Sequence, residues 1–115
     1  MKNYIADGDT VTVTAAADTA SGAGVIAGGL FGVALAAAAT GTDQVLLTRG
    51  VFELTKLGGA AWSAGDLIYW DNTNKRCTKV SATGLFLIGS AFEPALTGAT
   101  LGKVRLNGIA VAAVP

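Results

Sequence analysis

The chain has no histidine and a single cysteine, Cys77. Zinc sites built from Cys and His, triads that use His, and any disulfide within one chain are thereby excluded. Cys77, flanked by Arg76 and Thr78, reads as a strand residue of a protein made in a reducing cytoplasm, because no imidazole is present to activate it as a nucleophile. Charge is scarce as well: 14% of residues are charged, eight acids against eight bases, where an ordinary soluble domain carries about 25%. A weakly charged surface of zero net charge favours association with other chains. It also argues against direct contact with nucleic acid, which needs clustered Lys and Arg. The one basic cluster, Lys75-Arg76-Cys77-Thr78-Lys79, reads as a solvated hairpin edge. Bulky side chains are few too. The 51% hydrophobic fraction is diluted by 22 alanines, and 16 further residues are glycine, so the core must be thin.

What is present fits one domain over residues 1–115 of an 11.4 kDa chain. The N-terminus, Met-Lys-Asn-Tyr-Ile-Ala-Asp-Gly-Asp, puts acids where a signal peptide would carry its apolar region, so no export signal is read there. Residues 19–42 hold no charge and are open to three readings. As a membrane span they are diluted by glycine and lack cationic or aromatic anchors at the ends. As a dinucleotide loop, Gly22-Ala23-Gly24-Val25-Ile26-Ala27 lacks the buried strand before it and the unbroken helix after it. As sheet, Val25-Ile26-Ala27 and the run from Leu30 to Leu35 are β-prone segments joined by Gly28-Gly29, a pair suited to a two-residue hairpin turn. The sheet reading is preferred, with residues 36–39 as a strand end or loop. A phosphate loop fails because Gly102-Lys103 is followed by Val104, where Ser or Thr is required.

The same pattern continues along the chain. Thr10-Val11-Thr12-Val13-Thr14 alternates, valines inward and threonines outward. Residues 44–48 and 51–54 are strands with a bend or bulge at Arg49-Gly50, and Phe52 and Leu54 share a face. Residues 67–70 and 77–80 flank the turn signal Asp71-Asn72-Thr73-Asn74-Lys75 and form a hairpin. Residues 84–92 and 103–107 are further strands, and residues 60–63 are a candidate helical turn. The expected fold is all-β: a small antiparallel barrel or sandwich with at most one short helical turn. Asp7, Asp9, Asp66 and Asp71 sit in turn contexts, so no catalytic acid pair is assigned. Trp62, Tyr69 and Trp70 are expected to anchor the core. No catalytic, cofactor or metal residue is assigned, and no membrane partner or small-molecule substrate is expected.

In order along the chain, Gly8-Asp9-Thr10-Val11-Thr12-Val13, Leu30-Phe31-Gly32-Val33-Ala34, Gly50-Val51-Phe52-Glu53-Leu54 with Lys56, Trp62 with Gly65-Asp66, Tyr69-Trp70-Asp71, and Gly102-Lys103-Val104-Arg105-Leu106 resemble the capsid cement or head decoration proteins of tailed phages. Asp7 and Thr55 stand where that pattern carries proline. Some members of the family are labelled predicted phage recombinases, an activity at odds with the missing phosphate loop. The resemblance implies a non-enzymatic virion protein of a phage or prophage. It would bind the major capsid protein on the outside of the expanded head, commonly as a homotrimer, and clamp neighbouring capsomers. Residues 1–8 are a candidate extended arm, with Tyr4 and Ile5 as candidate capsid contacts that would add a strand to a capsid sheet edge. The alternative reading is a small β-barrel adapter or binding module of the phage tail or baseplate.

Overall fold

The structure, a computed structural model, describes residues 9–108 and 110–115. Nine strands follow in chain order: β1 (Thr10–Thr14), β2 (Gly24–Ala27), β3 (Leu30–Ala34), β4 (Asp43–Leu47), β5 (Arg49–Thr55), β6 (Leu67–Asp71), β7 (Arg76–Thr78), β8 (Phe86–Ala91) and β9 (Leu101–Asn107). No helix occurs among the described residues. They form two antiparallel sheets, ordered β1-β4-β3-β2 and β5-β9-β8-β6-β7. The second curls into a half-barrel: a parallel bridge between Lys56 and Cys77 brings the end of β5 round to β7, and Leu57 N–H donates to Cys77 O at 2.8 Å.

Local sequence explains each turn. Gly28 has φ +59°, which lets Gly28-Gly29 close the β2–β3 hairpin in register Ala27↔Leu30. Residues 19–42 are therefore a hairpin with its flanking loops, and no helix among the described residues is long and apolar enough to cross a membrane. β4 and β5 are almost one strand, interrupted at Thr48, and Gly50 at φ +122° supplies the bend that passes the chain from one sheet to the other. Asp71 builds the β6–β7 turn by accepting from the Thr73 and Asn74 N–H groups at 3.0 and 3.2 Å.

The core lies between the sheets. Phe31 and Val33 descend from the first sheet onto Leu54, Ile68, Trp70, Ile88, Val104 and Leu106 of the second, and Trp62 joins them from the connection between β5 and β6. Phe31 and Trp70 meet with ring centroids 5.1 Å apart and planes tilted by 56°, a geometry aromatic pairs favour. Both indoles lie on bare backbone. A Cβ at Gly24 would stand 2.7 Å from Trp70 Cη2, and one at Gly102 would overlap the Trp62 ring. A chain with so few bulky residues fills its core by letting its largest rings settle where side chains are missing.

At residues 60–63 the local expectation yields to tertiary structure. They make no helical turn; instead Trp62 forms an antiparallel bridge with Ala95, exchanging backbone hydrogen bonds at 2.9 and 3.1 Å. Tyr69 also departs from its expected place. It is only half-buried, while its neighbours Ile68 and Trp70 are inside, because strand alternation turns it to the opposite face. After β9, Gly84 N–H donates to Val114 O, Val114 N–H donates to Leu85 O, and Val111 N–H donates to Gly29 O. Residues 110–114 thus strap the start of β8 to the β2–β3 turn.

The glycine seat of Trp62 leads to a test. Gly102→Ala is expected to lower stability by about 1–3 kcal/mol through overpacking, whereas Gly98→Ala, where an added Cβ would meet nothing within 4 Å, should change it by less than about 0.5 kcal/mol. Urea unfolding followed by tryptophan fluorescence reads both.

Candidate functional site

Tyr4 and Ile5 lie outside the described residues, as does Asp7. Five of the other acids, Asp9, Asp18, Asp66, Asp71 and Glu93, are engaged in turns, loop hydrogen bonds or exposed pairs. Asp66 accepts from Ser63 N–H at 2.8 Å and lies 3.9 Å from Lys79. Asp9 pairs with Arg49 at 3.4 Å, and Glu93 with Lys103 at 3.1 Å. Hydrogen bonds from the Asn74 side chain and backbone hold the Asp71 carboxyl below the usual carboxylate range, and those from Thr40 do the same for Asp18. Groups held ionised in this way suit turn-making rather than proton donation. Among the described residues no three His, Cys, Asp or Glu side chains come together as metal ligands.

Cys77 is fully buried in β7. Burial pushes its thiol from an ordinary 9.0 up to about 12, the reverse of what a nucleophile needs. Of the basic cluster around it, Lys75 and Lys79 are exposed, but Cys77 and Thr78 are buried, so only the two ends of the cluster form the solvated edge.

The most unexpected group is Lys56. It is 3% exposed, and its ammonium donates to the carbonyls of Leu57 at 3.2 Å, Leu96 at 3.3 Å and Ala99 at 3.5 Å. Nζ also stands 5.7 Å from the centroid of the Trp62 ring, within cation–π range. Strand parity carries the signal for this burial, since Phe52, Leu54 and Lys56 alternate onto one face. The same parity places Gln44, Leu46 and Thr48 inward from β4, and all three are buried.

By holding those carbonyls, Lys56 ties the loop of residues 92–100 to the end of β5. The loop tip carries Leu96 at 82% exposure, with Leu57 beside it and Phe92 at its base, both also exposed. A second apolar group, Leu67 and Leu87, lies on the outer face of the half-barrel around a hollow of about 350 Å³ that Asn107 and residues 110–112 complete. A cleft of about 480 Å³ opens between the edge strand β2 and β5, with Trp70 and Gln44 among its lining residues. The sequence located none of these surfaces, because exposure of an apolar residue depends on which neighbouring strand or loop covers it.

Two measurements follow. Lys56→Met keeps the bulk and removes every donor, so the loop carbonyls lose their partner, and stability should fall by about 2–4 kcal/mol in urea unfolding. For Cys77, the folded chain retains a proton that the unfolded chain releases above about pH 9. Its stabilising contribution is complete below that pH and is lost as pH rises toward 12. The thiol should resist iodoacetamide at pH 8 until denaturant is added, and Cys77→Ala should flatten the fall in stability between about pH 9 and 11.

The arrangement is one of exposed apolar faces and tied-down loops around a buried, unreactive interior. No curated protein and no solved structure matches the chain. The family profile described as phage cement protein matches residues 5–106, nearly the whole length and the same family that the ordered motifs resemble. The chain therefore belongs to the phage cement protein family.

Proposed function

We propose that this protein decorates the outside of an expanded phage or prophage head as a homotrimer, binds the major capsid protein and clamps neighbouring capsomers without catalysing a reaction. The observation that carries this reading is the family match through residues 5–106; members of a cement family associate with the virion capsid. The exposed apolar side chains support it. Leu35, Leu67, Val80, Phe92 and Leu96 are each more than half exposed on a chain of zero net charge, which suits a surface that is covered by other chains.

A trimer spanning the seams between capsid subunits resists expansion because opening a seam must also break the decorating contacts, and three weak attachments act together. The arm of residues 1–8 contributes through Tyr4 and Ile5, adding a strand to a capsid sheet edge. The chain is made in the bacterial host cytoplasm and joins the shell after expansion, using no cofactor, nucleic acid or membrane.

Purified protein mixed with expanded heads that lack it should give density distributed over the whole head in electron micrographs, and light scattering of the free protein should give three times the 11.4 kDa chain mass. Density confined to one vertex or to the tail would overturn the reading in favour of an adapter. Deleting residues 2–6 should lower head occupancy at limiting protein by about tenfold; undiminished occupancy would remove the arm from the mechanism.

A further inference from the structure

The cleft between the sheets holds a polar group with an unmet requirement. Gln44 projects inward from β4 and is 2% exposed, and its Nε2 has no hydrogen-bond partner among the described residues. A buried amide donor without an acceptor is costly and calls for an explanation. Gln44 lines the cleft of about 480 Å³, so a small rotation of its side chain brings the amide to an acceptor that enters the cleft.

Three further features describe what that acceptor belongs to. The first is β2, the last strand of its sheet, whose residues Gly24, Val25 and Ile26 form one wall. Alternate residues of such an edge direct N–H and C=O away from the sheet, ready to pair with another strand. The second is the opposite wall, where Glu53 has no ion pair or side-chain hydrogen bond among the described residues. The two other charged residues of the lining are engaged: Asp18 by Thr40 and Lys75 by Asn72 at 2.7 Å. The third is the stretch of residues 16–24 along the cleft, mostly alanine and glycine beside Asp18 and Thr19, which leaves room for main chain and small side chains.

We propose that the cleft receives an extended segment of the major capsid protein, which pairs with the free edge of β2, accepts a hydrogen bond from Gln44 through a backbone carbonyl and places a lysine against Glu53. Free edge and unpaired amide both ask for backbone, and the unpaired carboxylate asks for a cation. This rests on the cement reading for the identity of the partner. It makes attachment reciprocal: the chain receives a shell strand at β2 as well as offering its own arm.

The test uses decorated heads and two substitutions. Gln44→Met removes the unpaired donor at similar volume, so the unfolding midpoint should hold or rise while apparent affinity for heads falls by about tenfold, the worth of one buried hydrogen bond. On decorated heads a carbodiimide condenses the Glu53 carboxylate with a neighbouring lysine amine, the elements of water passing to the reagent as a urea. Lys103 lies opposite Glu53 across β5 and β9, so a link within the chain is expected with or without heads. On heads mass spectrometry should find in addition Glu53 joined to a capsid lysine, and Glu53→Gln should abolish that product. Where wild-type protein decorates heads, unchanged affinity of Gln44→Met overturns the cleft while leaving the cement reading intact. Glu53 joined to a second copy of this chain, or a small molecule released from the native protein on denaturation in place of that crosslink, overturns the assignment of the occupant. Wild-type protein that binds no heads sinks the cement reading and this occupant together.

Discussion

Everything in the half-barrel depends on two indole rings resting against backbone that carries no side chain. Trp62 and Trp70 are each 2% exposed, and each occupies space that a methyl group at Gly102 or Gly24 would claim. Tryptophan buries more surface per residue than any other side chain, so two of them can fill a core that alanine and glycine leave thin, provided the opposing strands come close. The glycines permit that approach. Lys56 then finishes the closure from above Trp62, its ammonium gathering the carbonyls of Leu57, Leu96 and Ala99. A buried ammonium that tethers neutral carbonyls fixes geometry more than it adds net stability, because desolvation offsets much of the attraction.

The strands were readable from sequence because alternation and turn chemistry are local. Thr10–Thr14 alternates as its valines and threonines indicate, Gly28-Gly29 closes the expected hairpin, and Asp71 opens the next. What could not be read is set by distant partners. β9 slots between β5 and β8, and nothing near residues 101–107 in sequence says so. Residues 60–63 favour a turn of helix on composition, yet the nearby chain at Ala95 captures Trp62 into a bridge. Lys56 and Gln44 were legible in principle from parity; charge and polarity argued the other way, and parity prevailed. Of the site, the arm at Tyr4 and Ile5 was proposed from sequence, while the cleft required the two sheets to be brought together.

Burial keeps Cys77 protonated, and Asp18, Asp66 and Asp71 are tied into loops and turns by hydrogen bonds. Apolar residues are exposed in several separated places, the loop tip at Leu96 and the outer face around Leu67 and Leu87 among them. Contacts spread in this way suit a protein with more than one neighbour at a time, each engaged through a modest area.

The strap of residues 110–114 reaches across both sheets from beyond the last strand. It follows every strand in sequence, yet it makes the backbone link from Gly29 to Leu85 across the sandwich. The fully buried residues all precede it, so a truncation before residue 110 removes that link and leaves the buried residues in place. The closing of this fold is thus separable from the filling of it.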